Sequence, residues 1–501
     1  MKAYADLIKE LREIALLGSI NSLLSWDEHV YLPPNGAAHR ADQEALMARL
    51  HHERFTSPKI GELLGAVESS DLVRNPESDA AANVREVRRD YDRATKLPAS
   101  LVEEMTRTAV LAQQAWVEAR RKAQFDIFSP WLKKTIDLKK REAQCVGWKE
   151  HLYDALLDPY EPGKTTTNLR RVFDSLREPL IDLIGRIASS GKRPPVEVLE
   201  GKFPANLQEK FGKLGAAAIG FDFEAGRLDT TVHPFCSGIA GGDTRITTRY
   251  REESFIESFM GVLHETGHGL YEQGLPKMEH FGEPIADAIS LGIHESQSRL
   301  WENLVGRRQS FWKFMLPRAR EIFGAGMKDV NERDFYFAIN EISPGFIRVE
   351  ADEATYNLHV LLRFELEQAM VTDELSVNDL PAAWNERMKK YLGITPPNDA
   401  QGCLQDIHWS GGSIGYFATY TLGNLYAAQF YEQARKELGD LDAMFAKGEF
   451  APLLKWLREK IHRHGRRYRA SDLVKRVTGK PLSAEPLLAH LREKARELYQ
   501  V

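Results

Sequence analysis

A mainly α fold with one small β element near the middle of the chain is what this sequence predicts. Three observations predict it. Apolar residues recur at three- and four-residue steps over most of the 501 residues, and prolines mark the boundaries of the early segments. Strand signals are few, and the best is one stretch dense in β-branched and aromatic residues.

Helical periodicity covers residues 1–25, about 36–70, 78–123, 127–157 and 166–190. Pro33, Pro34, Pro98, Pro130, Pro159 and Pro162 fall at the expected helix ends, where a fixed φ and a missing N–H do least harm. Leu132 to Leu157, rich in Lys, Glu and Leu, predicts one long and partly exposed helix. The strand signal is Thr244–Tyr250, which follows the glycine-rich stretch Gly238–Gly242. From residue 284 to the C-terminus the pattern is again helical. With no internal repeat, low-complexity tract or long linker, residues 1–501 read as a single domain, with room for two helical subdomains.

Composition narrows the function classes. Hydrophobic residues at 43% and charged residues at 28% are ordinary for a soluble globular enzyme. A net charge of -5 gives no reason to expect nucleic acid or an anionic membrane as partner. No apolar run approaches the ~20 residues that a bilayer span requires. The first residues mix acids and bases without the apolar core of a signal peptide. Cys145, Cys236 and Cys403 are far apart in sequence and read as reduced thiols of a cytoplasmic protein.

One helix carries chemistry. In LHETGHGLYEQG, Leu263–Gly274, two histidines stand four residues apart with a glutamate after the first. Ser254 and Glu257 have the spacing of a capping box, and Phe255, Phe259 and Leu263 supply an apolar stripe. His264 and His268 then fall in the third and fourth turns on one face, able to reach one metal ion. Glu265 sits one position on, free to act as general base toward a water without ligating the metal. Gly267 and Gly269 cost about 1 kcal/mol each relative to alanine, which is easier to explain if another element packs closely there. Tyr271 and Gly274 stand where a longer motif would place a third histidine, so the remaining ligand comes from a later segment. Pro284 suits the start of a helix continuing from Ile285 to Asn303, with Asp287, Leu291 and Glu295 on one face. Glu295 is the candidate third ligand, and Glu283 and Asp287 compete with it.

These motifs occur in a definite order: His233-Pro-Phe235, DTRIT at Asp243–Thr247, HETGH, HESQ from His294, IRVEAD at Ile347–Asp352 and GCLQDIHW at Gly402–Trp409. Together they resemble the carboxypeptidase Taq family of metallocarboxypeptidases, and the likeness runs nearly end to end. The resemblance implies one large helical body of the neurolysin-like, zincin type, with a deep cleft and a small sheet beside the zinc helix. It also implies a homodimer that removes single residues from peptide C-termini. It assigns the metal to His264, His268 and Glu295 and the base to Glu265. Two departures stand out: Ala418 lies where the family often has proline, and HVYLPP lacks the family's usual methionine.

The other motifs support two readings each. DTRIT offers an extended edge for a substrate backbone, or Asp243 and Arg245 simply brace the strand as an ion pair. Arg348 is the candidate receptor for a terminal carboxylate, or it pairs with Glu350 or Asp352. His408 is an oxyanion donor or a buried histidine beside Trp409. Tyr416 and Tyr420, four apart, suit one helix face, and the resemblance favours Tyr420 for the oxyanion. The basic run from His462 to Arg469 reads as a solvated or dimer-contact surface. Zinc is the default metal, with cobalt or manganese compatible with the same ligands. Rival functions are a helical oligopeptidase cutting inside peptides and a non-catalytic peptide-binding scaffold that retains a metal.

Overall fold

Local chemistry decides where the long helical pattern breaks. In the computed structural model, which describes residues 2–328 and 330–501, the first helix runs Lys2–Val30. Met1, part of the first expected helix, lies outside the described residues. The second expected segment divides into Ala37–Phe55 and Pro58–Glu68, and the third divides at Pro98 into Asp79–Lys96 and Ala99–Lys122. The single helix expected over Leu132–Leu157 is instead two, Ser129–Val146 and Leu152–Leu157. Gly147, at φ +84°, ends the first. His151 and Asp154 form a reciprocal capping box that starts the second.

Two further expectations fail downstream. The helix expected from Pro284 begins later: Pro284–Ala286 is one 3-10 turn, Asp287 is extended, and Ser290 caps Leu291–Arg299 by accepting from the Ile293 N–H. Asp287 therefore does not share a helix face with Glu295. Nor is the chain helical throughout to its C-terminus, because residues 393–417 are turns and irregular backbone.

The chain forms two compact units. The first comprises Met1–Ala94, Pro194–Ile339 and Phe430–Pro481, and the second Thr95–Arg193, Asn340–Gln429 and Leu482–Val501.

The first unit holds the sheet. Strands β1 (Gly226–Thr230), β2 (Cys236–Ala240) and β3 (Asp243–Thr248) lie in the order β1-β3-β2, with β1 parallel and β2 antiparallel to β3. The DTRIT strand is thus central. Its hydrogen-bonding groups face neighbours on both sides, so the free edges belong to β1 and β2 and not to β3. Packed on β3 is the helix Phe255–Gly274, hereafter the histidine helix. An aromatic cluster anchors its first turns, with Phe211 and Phe259 centroids 4.5 Å apart and Phe255 and Phe323 4.7 Å apart. The expected capping box at its start is not made. Ser254 gives no side-chain cap, and Glu257 turns outward to Arg249 and Arg251.

The basic run is not a free solvated face. His462 is fully buried and bonds Gln297 at 2.8 Å. Arg466 pairs with Glu86 and Asp90, Arg467 with Asp79, and Arg469 with Glu86, so the run is clamped onto the helix Asp79–Lys96.

In the second unit the helix Thr355–Val371 is buried along nearly its whole length. Glu353, just before it, is ion-paired with Lys494 and hydrogen-bonded to His490 at 3.2 Å, which fastens the C-terminal helix Glu485–Leu498.

Candidate metal centre

On the histidine helix the two imidazoles share a face, as four-residue spacing requires. The helix Leu291–Arg299 brings Glu295 to them. One ligand atom from each of His264, His268 and Glu295 lies within 4.8 Å of the others. The Nε2 atoms of His264 and His268 stand 3.6 and 3.3 Å from Glu295 Oε2. Gly267 permits this approach, since a Cβ there would fall 2.5 Å from the Gln297 carbonyl oxygen and the Ser298 Cα. Gly269 similarly makes room for Phe221 and for Ile246 of β3.

Each imidazole is turned by a partner at its other nitrogen. His264 Nδ1–H donates to Glu302 Oε2 at 2.8 Å, and His268 Nδ1 lies 2.5 Å from His294 Nδ1. With both Nδ1 atoms engaged, the two Nε2 atoms face the Glu295 carboxylate. Two such nitrogens and one carboxylate form a donor set suited to a tetrahedral divalent ion with an open position. Arg299 spans the carboxylates, donating to Glu295 at 2.7 Å and Glu302 at 3.2 Å.

The electrostatics follow from burial and these neighbours. Burial opposes the charge on Glu295, yet Arg299 and the two histidines hold its carboxyl well below the usual range. Burial likewise opposes charge on Glu302, and Arg299 with His264 brings it down to about 2. His264 rises to about 8 despite burial, under the pull of Glu295 and Glu302. Burial takes His268 down to about 4, which keeps it neutral and able to ligate. Burial pushes Glu265 up to about 7, against the opposing pull of His264.

Neither competing ligand candidate, Glu283 nor Asp287, belongs to this cluster. Glu283 accepts from Arg12 at 3.2 Å and Asn83 at 2.8 Å. Asp287 is in the extended link before the glutamate-bearing helix. Asp243 and Arg245 form a two-pronged ion pair at 2.8 and 2.9 Å, and the Arg245 guanidinium lies 4.1 Å from the Trp26 ring centroid.

The second unit holds the residues of IRVEAD and GCLQDIHW and the two tyrosines. Arg348, only 4% exposed, donates twice to Asp406 at 3.1 and 2.7 Å and once to Tyr356 at 2.9 Å. Its partner is therefore neither Glu350 nor Asp352. Asp352 instead accepts from Thr355 and Ala354 at a helix start. Arg363 shares Asp406 at 2.7 Å, and burial notwithstanding the two guanidiniums hold that carboxyl far below its ordinary range. His408 Nε2 lies 3.2 Å from the Tyr420 hydroxyl. Burial brings His408 down to about 4 despite nearby Asp406, so the ring is neutral. Tyr420 stands in the first turn of the helix Ala418–Leu438, whereas Tyr416 precedes it, so the pair does not share a helix face. Their rings nonetheless touch, with centroids 5.3 Å apart.

Comparison with known proteins decides the family. Residues 6–495 match the model of the carboxypeptidase Taq (M32) metallopeptidases. The chain belongs to that family. It is 50% identical to thermostable carboxypeptidase 1 of Thermus thermophilus, over 99% of each chain. It is 39% identical to carboxypeptidase 1 of Bacillus subtilis, over 99% of this chain and 98% of the relative. The solved M32 carboxypeptidase of Deinococcus radiodurans R1 superposes with a TM-score of 0.96 at 40% identity, over the whole of both chains. Metallocarboxypeptidase 1 of Trypanosoma cruzi superposes at 0.94 with 36% identity, again over both whole chains. The protein is thus a metallocarboxypeptidase of the M32 family with a mainly α fold.

Sequence reasoning missed the outer partners of the two histidines in this M32 site. Glu302 is the seventh residue after Glu295, two turns along the same helical stretch, and that repeat was a usable signal. It lies in a π-helical turn, Leu300–Val305, that directly continues the glutamate-bearing helix. His294 was visible as a neighbour of Glu295, but nothing in its spacing showed that it would meet His268.

Proposed function

We propose that this protein releases single residues from the free C-termini of peptides, with His264, His268 and Glu295 holding one divalent ion and Glu265 acting as general base. The observation that carries the reading is the convergence of those three donors on one point, with the buried Glu265 adjoining His264 in the chain. The ion, zinc by default with cobalt or manganese compatible, supplies Lewis acidity toward a peptide carbonyl and acidifies a water. Glu265 takes the proton of the attacking water and returns it to the leaving amine nitrogen.

Tyr420 or His408 donates the hydrogen bond that the developing oxyanion needs. A neutral His408 serves only in the tautomer that carries a proton on Nε2. Arg348 is the receptor for the terminal carboxylate, though Asp406 and Tyr356 already engage its guanidinium, so a substrate would share it with them. Asp243 and Arg245 serve the site by bracing the strand beside the histidine helix, since β3 has no edge to offer a peptide. By likeness of the whole motif set to the family, residues 1–501 are read as a single peptidase domain in a cytoplasmic homodimer.

Replacing Glu265 with Gln tests the central role. The expected result is full metal occupancy with turnover reduced by at least about 10²-fold. Near-normal hydrolysis by the metal-loaded variant contradicts it. Arg348→Ala tests the clamp by selective loss of activity on free-terminus peptides; equal loss on C-terminally blocked peptides contradicts that assignment.

A further inference from the structure

Adjacent residues of one helix straddle the ring of His268. Glu295 Oε2 lies 3.3 Å from its Nε2, and His294 Nδ1 lies 2.5 Å from its Nδ1. Successive side chains on a helix point about 100° apart, which lets a His-Glu dipeptide reach both nitrogens of one imidazole. Beyond His294 the contacts continue. Its Nε2 is 2.7 Å from Glu272 Oε1, and Glu272 Oε2 is ion-paired with Lys277. Lys277 is held in turn by the Gly238 carbonyl at 2.9 Å. Gly238 is needed there, because a Cβ would collide with the Glu272 carboxylate at 2.0 Å.

The proton positions in this row follow from its two ends. Two imidazole nitrogens in contact share one proton, so one donates and the other accepts. At the inner end, a His268 that ligates through Nε2 must carry its proton on Nδ1 and donate it. His294 therefore accepts at Nδ1 and keeps its own proton on Nε2. At the outer end Glu272, an anion beside Lys277, accepts from that Nε2–H. Each group has one arrangement that satisfies both neighbours.

We propose that His294 and Glu272 are positioning residues for the metal, a relay of His268 to His294 to Glu272 that fixes which nitrogen of His268 faces the ion. The proposal rests on the metal-binding reading of His264, His268 and Glu295. It also makes the two histidines unlike: His264 is backed directly by a carboxylate, and His268 through a second imidazole. Direct or relayed, an acceptor behind the ring raises the basicity of the ligating nitrogen and locks its tautomer.

Two measurements on the full-length protein test this. In histidine ring nitrogen spectra of the zinc-loaded wild type, His294 is expected to carry its proton on Nε2 and none on Nδ1. A proton on His294 Nδ1 overturns the relay. In chelator competition, His294→Leu is expected to weaken zinc affinity about 10- to 100-fold and to shift the visible spectrum of the cobalt form. His294→Asn, whose amide can both accept and donate, is expected to recover most of that affinity. Should His294→Leu fail to fold, Glu272→Leu takes its place with the same expected loss. Wild-type affinity and an unchanged cobalt spectrum in a folded variant overturn the proposal. Failure of the wild type itself to bind one zinc per chain overturns the reading beneath it, a result distinct from either.

Discussion

Gly267 of the histidine helix rests directly on Ser298 of the helix that carries Glu295: a Cβ at Gly267 would lie 2.5 Å from the Ser298 Cα. The obstacle is backbone, so no rotamer change relieves it. Gly267→Ala must therefore push the two helices apart, and with them His264 and His268 from Glu295. Overpacking of this kind costs about 1–3 kcal/mol. The expected outcome is a lower thermal midpoint in the metal-free protein together with weaker zinc binding. A variant with unchanged zinc affinity would show that the helix spacing does not set the site.

Glu302 backs His264 at 2.8 Å and shares Arg299 with Glu295. Glu302→Gln keeps the shape and removes the charge. The variant is expected to fold and to bind zinc about 10- to 100-fold more weakly, as measured by chelator competition. Equal affinity would show that His264 is oriented by packing alone.

The carboxyl of Glu353 is buried between Lys494 and His490. Lys494→Met leaves that carboxyl without its main partner, and breaking a buried pair from one side typically costs about 3–5 kcal/mol. Faster amide exchange in the C-terminal helix Glu485–Leu498 is the expected signature. Wild-type protection there would contradict the clamp.

Glu367 gives the fold a pH dependence. It accepts from Tyr153 at 2.5 Å, Trp409 at 2.7 Å and the Gly415 N–H at 3.0 Å. Burial nevertheless pushes its carboxyl up from 4.5 to about 7. Between those values the folded protein holds a proton that the unfolded chain has released. Its contribution to stability is complete below about pH 4.5 and is lost as pH rises through 7, by about 3 kcal/mol at most. The thermal midpoint of wild type relative to Glu367→Gln is expected to fall from pH 5 to pH 8. Parallel profiles would contradict it.

Local patterns were legible in the sequence where a single element decided the outcome. Four-residue spacing placed His264 and His268 together, the two glycines announced a close neighbour, and β-branched residues marked the DTRIT strand. Outcomes that depended on distant partners were not legible. Ser254 and Glu257 had the capping-box spacing, but Arg249 and Arg251 took Glu257 instead. An edge strand stayed open as one of two readings of DTRIT because no local signal reveals that β1 and β2 flank it. The basic run looked solvated because its acidic partners, Asp79, Glu86 and Asp90, come from a helix almost 400 residues earlier. Arg348 found Asp406, 58 residues away, rather than the acids beside it.

The central claim is that a divalent ion held by His264, His268 and Glu295, with Glu265 as base, trims peptides from their free C-terminal ends. Digestion of one unblocked peptide by the zinc-loaded protein, followed by mass over time, tests it most directly. The expected record is a ladder of losses, one residue at a time from the C-terminus, abolished by chelation and by Glu265→Gln. Two internal fragments, or an intact peptide after full metal loading, would contradict it.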